Sequence, residues 1–470
     1  MARVHAFCDD ALGDADAVGL VERLRRREVT ALELVDAAIA RTEAVNPVLN
    51  GLAYEAYDRA RREADHRASS GYFAGVPTFL KDNVDVAGMP TMQGTDAWHP
   101  RPARSNGDWA RMFLATGLQP LGKTQMSEFG FSAAAEHPRL RPVLNPWNTS
   151  YTAGASSSGA GVFVAAGVVP IAHANDGGGS TRMPASCNGL VGLKPTRGRL
   201  PLDRRVRQMP LKIVSNGVLT RSVRDTAAFY REAERIYRSP KLPPVGDVGR
   251  PGRARLRVAV ITRSVGGRNS SPQVRDLTLK TAALLEELGH HVVQIDRPPV
   301  SDTFADDFIL YWSLLALAVV RSGRRTFGAS FDRSRLDNLT LGLERNAARN
   351  LHRIPLALAR LAAVQRATAA LFRTYDVLLT PTLAHEPPLV GHFDPTADFD
   401  EIMGRIADWA AFTPLQNASG DPAISLPLAE SSGGLPVGMM FSAAHGHERR
   451  LLELAYELED ARPWRRIQDA

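Results

Sequence analysis

Two serines sit in glycine-rich turns a short distance apart in the chain. Ser156 lies in Thr152-Ala153-Gly154-Ala155-Ser156-Ser157-Ser158-Gly159, and Ser180 closes Asp176-Gly177-Gly178-Gly179-Ser180. Upstream, Lys81 ends the apolar segment Val76 to Leu80. Nucleophilic attack on a carbonyl takes a nucleophile, a base, an acid for the leaving group and donors for the tetrahedral oxyanion. The two hydroxyls and the amine make a nucleophile set without histidine. Gly177, Gly178 and Gly179 carry no side chain, so consecutive backbone N–H groups there can converge on one point as an anion nest. A serine/glycine-rich stretch is more often a flexible loop and a strand-end lysine is more often solvated, so the weight rests on the combination.

Several blocks in one order carry a resemblance: TALELVDAAIARTEAVNPVLN, GVPTFLKDNVDVAGMPT, NPWNTSYTAGASSSG, NDGGGSTRMPASCNGLVGLKPTRGRL, GVLTRSVRDTA, DVLLTPT, NASGDPAISLP and GLPVGM. Together they resemble the amidase signature family, whose serine hydrolases use a Ser-Ser-Lys triad on amide bonds. The resemblance implies Ser180 as nucleophile, Ser156 as bridging serine on a cis Ala155–Ser156 bond, and Lys81 as general base. It implies an oxyanion and substrate region of Gly177, Gly178, Gly179 and Met126, with no metal and no cofactor. The loop departs from the family's TPGGSSGGS at Ala153, Ala155, Ser158 and Ala160, and Asn175 stands where threonine is common. Asp176 and Arg182, flanking the nucleophile turn, read as an ion pair or backbone clamp.

The elements that must place these residues follow from local patterns. Thr30 with Glu33 makes a capping box, and Leu32, Leu34, Val35, Ala38 and Ile39 keep helical spacing until Asn46-Pro47, where the run is expected to stop. That gives a helical lead-in over 1–65. Short apolar segments punctuated by Gly and Pro mark strands in a catalytic core of about 66–230. Prolines and glycines at 240–252 mark a loop or linker, and a variable second half follows over 255–470. There, Leu256 to Ile261, Gln273 to Leu288 and Val292 to Ile295 read as a βαβ unit, and 303–373 reads as helical. The expected architecture is α/β, one unit over 1–470 with a mixed central sheet covered by helices on both faces.

Composition limits the alternatives. The chain has 470 residues with 44% hydrophobic and 23% charged residues, the ordinary globular range. The 57 basic residues are balanced by 50 acidic ones without an aromatic-interleaved basic motif, which argues against nucleic acid. Cys8 and Cys187 alone are too few for a disulfide framework. The apolar stretch Phe308 to Val320 is too short to span a bilayer, and no signal-peptide pattern opens the chain, so the expected location is cytoplasmic with no membrane partner. The sequence is compatible with a homodimer.

Gly117-Leu118-Gln119-Pro120-Leu121-Gly122-Lys123-Thr124 matches the phosphate-loop pattern, yet Leu118 to Leu121 itself reads as strand where that loop needs its turn. The resemblance implies hydrolysis of a small-molecule carboxamide to acid plus ammonia or amine through an acyl-enzyme on Ser180. The resemblance places Met126, Phe129 and Phe131 against the active site, and with Phe308, Ile309, Leu310, Tyr311 and Trp312 of the variable helical region they suggest an apolar pocket for aryl, alkyl or cyclic amides. Two rivals stay open: a glutamine-hydrolysing transamidase subunit of the glutamyl-tRNA amidotransferase kind, and a catalytically silent binding protein on the same fold.

Overall fold

The computed structural model describes residues 3–66, 70–267, 269–298 and 300–469. Its strands in chain order are β1 (Leu52–Glu55), β2 (Pro77–Lys81), β3 (Gln119–Thr124), β4 (Ile171–Asp176), β5 (Val191–Lys194), β6 (Ser215–Thr220), β7 (Arg257–Val260), β8 (His291–Gln294), β9 (Val377–Pro381), β10 (Ala423–Glu430) and β11 (Pro436–Ala443). Eight of them form one mixed sheet, ordered β4-β6-β5-β10-β11-β9-β7-β8. The first half enters it through antiparallel pairs, and β9, β7 and β8 continue it in parallel. A separate sheet, β1-β3-β2, was not foreseen. Its strands are short, and their apolar residues pack on the same core as the large sheet, so sequence pattern alone could not divide them.

The small sheet is locked to the large one by polar contacts between β2 and β4. Thr78 Oγ1 donates to the Ile171 carbonyl at 2.8 Å, and the Lys81 amide donates to His173 Nδ1 at 3.2 Å. Side chains alternate along a strand, so His173 and Asn175 both point from β4 toward Lys81 while Asp176 points elsewhere. That parity places the lysine beside the serine turns.

Helices pack around the large sheet. Val223–Ile236 and Glu448–Ala461 pack on one another and on its strands, as do Ser158–Ala165 and Arg182–Asn188. The capping box at Thr30 is present, but the helix it starts runs through Pro47 to Leu49. Proline's fixed φ suits a helix, and Pro47 gives up one i→i−4 bond, to the Glu43 carbonyl, without stopping it; Asn50, left-handed at φ 54°, then ends the helix. The helix–strand pattern over β7, Pro272–Glu287 and β8 is as read, with β7 and β8 parallel. Leu351–Thr374 is long and apolar enough, by length and composition alone, to cross a membrane. Within it Ile354, Ala357, Leu361, Val364, Thr368 and Leu371 are buried at helical spacing, a single stripe packed against the protein.

Lys123, the lysine of the phosphate-loop pattern, is fully buried in β3. Its Nζ donates to the carbonyls of Val84 and Pro90 at 2.9 and 2.5 Å and to Thr91 Oγ1 at 2.7 Å. With Asp82 3.6 Å away, it pins the 84–91 loop and has no direction left for a phosphate.

Candidate active site

Lys81 lies at the end of β2 with no exposed surface. Its Nζ is 2.7 Å from Ser156 Oγ, 2.9 Å from Ser157 Oγ and 2.5 Å from Asn175 Oδ1. Burial pushes its amine well below the usual lysine range, and the charge of Asp176 opposes that only in part. Of the residues implied for catalysis, Lys81 and Ser156 are thus joined directly. The peptide Ala155–Ser156 is cis. The loop's departures from the family pattern are absorbed: Ala153, Ala155 and Ala160 are fully buried, and Ser158 Oγ donates to the Gly154 carbonyl at 2.6 Å.

Ser180 sits just beyond β4, 7% exposed, on the wall of a cavity of about 290 Å³. Among the described residues its hydroxyl makes no hydrogen bond, so the expected contact to Ser156 is not closed as it is between Ser156 and Lys81. Such bonds are often long before a substrate is aligned. The turn before Ser180 is held from below. The Asp176 carboxylate accepts the Gly179 amide at 2.8 Å and the Thr181 amide at 3.2 Å, and Arg182 meets it through Nε and Nη2, both at 2.9 Å. Burial works against ionisation of Asp176, but the Arg182 guanidinium outweighs it and holds the carboxyl at about 2.

This geometry divides the three glycines. Gly179 has φ +133°, and a side chain there would strike Thr413 Oγ1 at 2.4 Å. Its amide is engaged by Asp176, and the Gly178 carbonyl accepts Thr413 Oγ1 at 2.6 Å, so the Gly178–Gly179 peptide is pinned at both ends. Gly179 therefore shapes the turn and has no N–H to offer an anion. The amides of Gly177, Gly178 and Ser180 have no acceptor among the described residues.

Met126, expected in the substrate region, is buried behind Gly130 and lines no part of the cavity. The cavity's apolar walls include Phe131, Met183, Phe308, Ile309, Trp312 and Met403. Phe129 turns instead to Trp98 and Phe327, Leu310 to Ile354, and Tyr311 to the Leu211 backbone. Sequence reasoning missed Gly130, where a Cβ would come 3.1 Å from Ser156 Oγ, and Thr413, which reaches the turn from a remote segment and left no local signal. Asn175 was visible as a departure without an assigned contact. Among the described residues no group of three or more His, Cys, Asp or Glu is placed to hold a metal.

A Lys–Ser contact buried beside a serine in a glycine turn, on a mixed sheet, is the setting in which the comparisons with known proteins fall. The chain belongs to the amidase signature family: the Amidase family model matches residues 33–452. It is a hydrolase acting on amide C–N bonds. It is 66% identical over 468 residues to the Mycobacterium leprae protein AmiC, which carries an amidase name, covering 100% of this chain and 99% of that one. It is 31% identical over 474 residues to the 6-aminohexanoate-cyclic-dimer hydrolase of Paenarthrobacter ureafaciens, covering 96% and 95%. A solved 6-aminohexanoate cyclic dimer hydrolase complexed with substrate superposes with a TM-score of 0.88 at 29% identity over 98% of this chain and 99% of that one.

Proposed function

We propose that the protein hydrolyses apolar carboxamides through an acyl-enzyme on Ser180. The observation that carries this is the buried contact of Lys81 Nζ with Ser156 Oγ at 2.7 Å, next to a serine that opens on an apolar cavity. Ser180 Oγ attacks the amide carbonyl and forms a C–O bond while its proton passes to Ser156, whose own proton moves to the neutral amine of Lys81. The oxyanion is met by the free amides of the turn at Gly177, Gly178 and Ser180. The tetrahedral intermediate collapses with cleavage of the C–N bond, and the leaving nitrogen takes the proton back along the same path. Water, deprotonated by the same relay, then releases the acid and frees Ser180.

The cavity supports the substrate class. Aromatic and aliphatic walls suit aryl, medium-chain alkyl or cyclic acyl groups, and a cyclic-amide hydrolase among the relatives fits that reading. Among the described residues its charged lining is the exposed carboxylates Asp302 and Asp306, with no Lys or Arg to pair with the α-carboxylate of glutamine. Measuring kcat/KM for benzamide, hexanamide and glutamine, with intact-mass capture of acylated Ser180, tests the reading. The expected order has glutamine last, and Ser180→Ala should lose on the order of 10³-fold or more. A preference for glutamine would favour a transamidase role, and turnover retained in Ser180→Ala would overturn the mechanism.

A further inference from the structure

We propose that Asn175, with Ser157, is a positioning element of the base: two fixed acceptors on Lys81 Nζ that leave its third direction to Ser156. The inference rests on the Lys81–Ser156–Ser180 reading above and adds residues that reading does not use.

The argument is one of hydrogen-bond inventory. An aliphatic amine has three directions besides its own carbon, and here they end on Ser156 Oγ, Ser157 Oγ and Asn175 Oδ1 at 2.7, 2.9 and 2.5 Å. A carbonyl oxygen has no proton to give, so Asn175 Oδ1 faces the amine only as an acceptor. Ser157 is fixed in the same sense by the backbone of Asn175. Its hydroxyl donates to the Asn175 carbonyl at 3.3 Å, and its oxygen accepts the Asn175 amide at 3.4 Å. Turned that way, Ser157 also presents an acceptor to the lysine.

A neutral amine has two N–H bonds and one lone pair. The two fixed acceptors take both N–H bonds, and the lone pair is left facing Ser156, the one neighbour with a proton free to transfer. Once that proton arrives, the ammonium has three N–H bonds for the same three oxygens. The bonds to Asn175 and Ser157 keep their sense, the bond to Ser156 reverses, and no side chain has to move. The chemistry of residue 175 matters here. A carboxylate at that place would hold the ammonium form, and a hydroxyl could compete for the lone pair. Asn175 is delivered by the parity of β4, which turns His173 onto the Lys81 backbone and Asn175 onto its side chain.

The test reads nucleophile activation without a known substrate. An alkyl fluorophosphonate reacts with an activated serine, forming an O–P bond and expelling fluoride, and its attachment to Ser180 is followed by intact mass from pH 5 to 10. The wild type should label, and Ser180→Ala and Lys81→Ala should not. In Asn175→Asp the carboxylate favours the charged lysine, so the acid limb of the rate profile should move up by about one unit or more, a roughly tenfold loss at neutral pH recovered in alkali. In Ser157→Ala, where one N–H loses its acceptor, labelling should slow by about tenfold across the range. Thermal melting of each variant separates these effects from misfolding, and if Asn175→Asp does not fold, Ser157→Ala decides the matter. Labelling of Lys81→Ala at the wild-type rate, or no labelling of the wild type, would overturn the triad reading itself. With that control passed, an acid limb of Asn175→Asp superposed on the wild type, or an unchanged rate in Ser157→Ala, overturns the positioning role alone.

Discussion

Arg182 is fully buried and distributes its guanidinium over four neighbours. Besides Asp176 it reaches Gln416 Oε1 at 3.0 Å, Asn417 Oδ1 at 2.7 Å and Met440 Sδ at 3.2 Å. Asn417 Nδ2 returns to Asp176 Oδ1 at 2.8 Å. The sequence already suggested that Asp176 and Arg182 act as a clamp; what they clamp is the backbone of the glycine turn before Ser180, because the same carboxylate holds the Gly179 and Thr181 amides. Replacing Arg182 by Met keeps the volume but leaves Asp176 charged, buried and without its cation. The expected cost is about 3–5 kcal/mol, read as a lower denaturation midpoint, with loss of amide hydrolysis because the turn is no longer held. A loss below about 1 kcal/mol would show that Asn417 and the Gly179 and Thr181 amides suffice to satisfy the carboxylate.

At the scale of elements, the site depends on how closely β2 lies against β4, and His173 sits in that seam. It is fully buried, its ring centroid is 5.0 Å from that of Trp109, Nδ1 accepts the Lys81 amide, and Nε2 faces Asn216 Oδ1 at 3.4 Å. This fixes a neutral ring with its proton on Nε2. Burial presses its pKa from 6.5 down to about 3, with the amines of Lys81 and Lys123 adding to this where they are protonated in acid. The sign follows from which state binds the proton. Below about pH 6.5 the unfolded chain protonates this histidine and the folded one does not, so stability is lost as pH falls from there toward 3. The slope from this one group is about 1.4 kcal/mol per pH unit. Comparing denaturation of the wild type and His173→Gln between pH 7 and 4 isolates it, since the other titrating groups are common to both. The variant's curve should be flatter, and parallel curves would refute the assignment. Nothing in the sequence around His173 marked it, because its importance comes from a strand remote in sequence.

Across the whole molecule, what was legible in the sequence was what local chemistry encodes. Glycine turns place serines, an apolar run ends in a lysine, a capping box starts a helix, and the 272–287 segment alternates with strands. What was not legible depends on contacts between remote segments. Thr413 and Asn417 support the turn from the second half, the small sheet separates from the large one, and Met126 turns away from the cavity.

The same remoteness bears on unfolding. The proline- and glycine-rich stretch at 240–252 looks like a boundary, yet β5 of the first half pairs with β10 of the second through Ala423–Lys194, Ile424–Leu193 and Ser425–Gly192. The stretch itself is tied down as well: the Val245 and Gly246 amides donate to the Glu234 carboxylate, both at 3.1 Å, and Arg199 Nη1 to the Pro243 carbonyl at 2.7 Å. Arg199 in turn forms a buried pair with Glu448 at 2.6 Å, again across the halves. Removing either half would leave the edge of a buried strand unpaired, a cost of several hydrogen bonds at once. The two halves are therefore expected to unfold as one cooperative unit. Hydrogen exchange followed by mass spectrometry over a denaturant series should show protection in 191–194 and in 423–426 disappearing at one midpoint. Two midpoints, with either strand still protected after the other has opened, would show that the halves are separable domains and that the 240–252 stretch is a true linker.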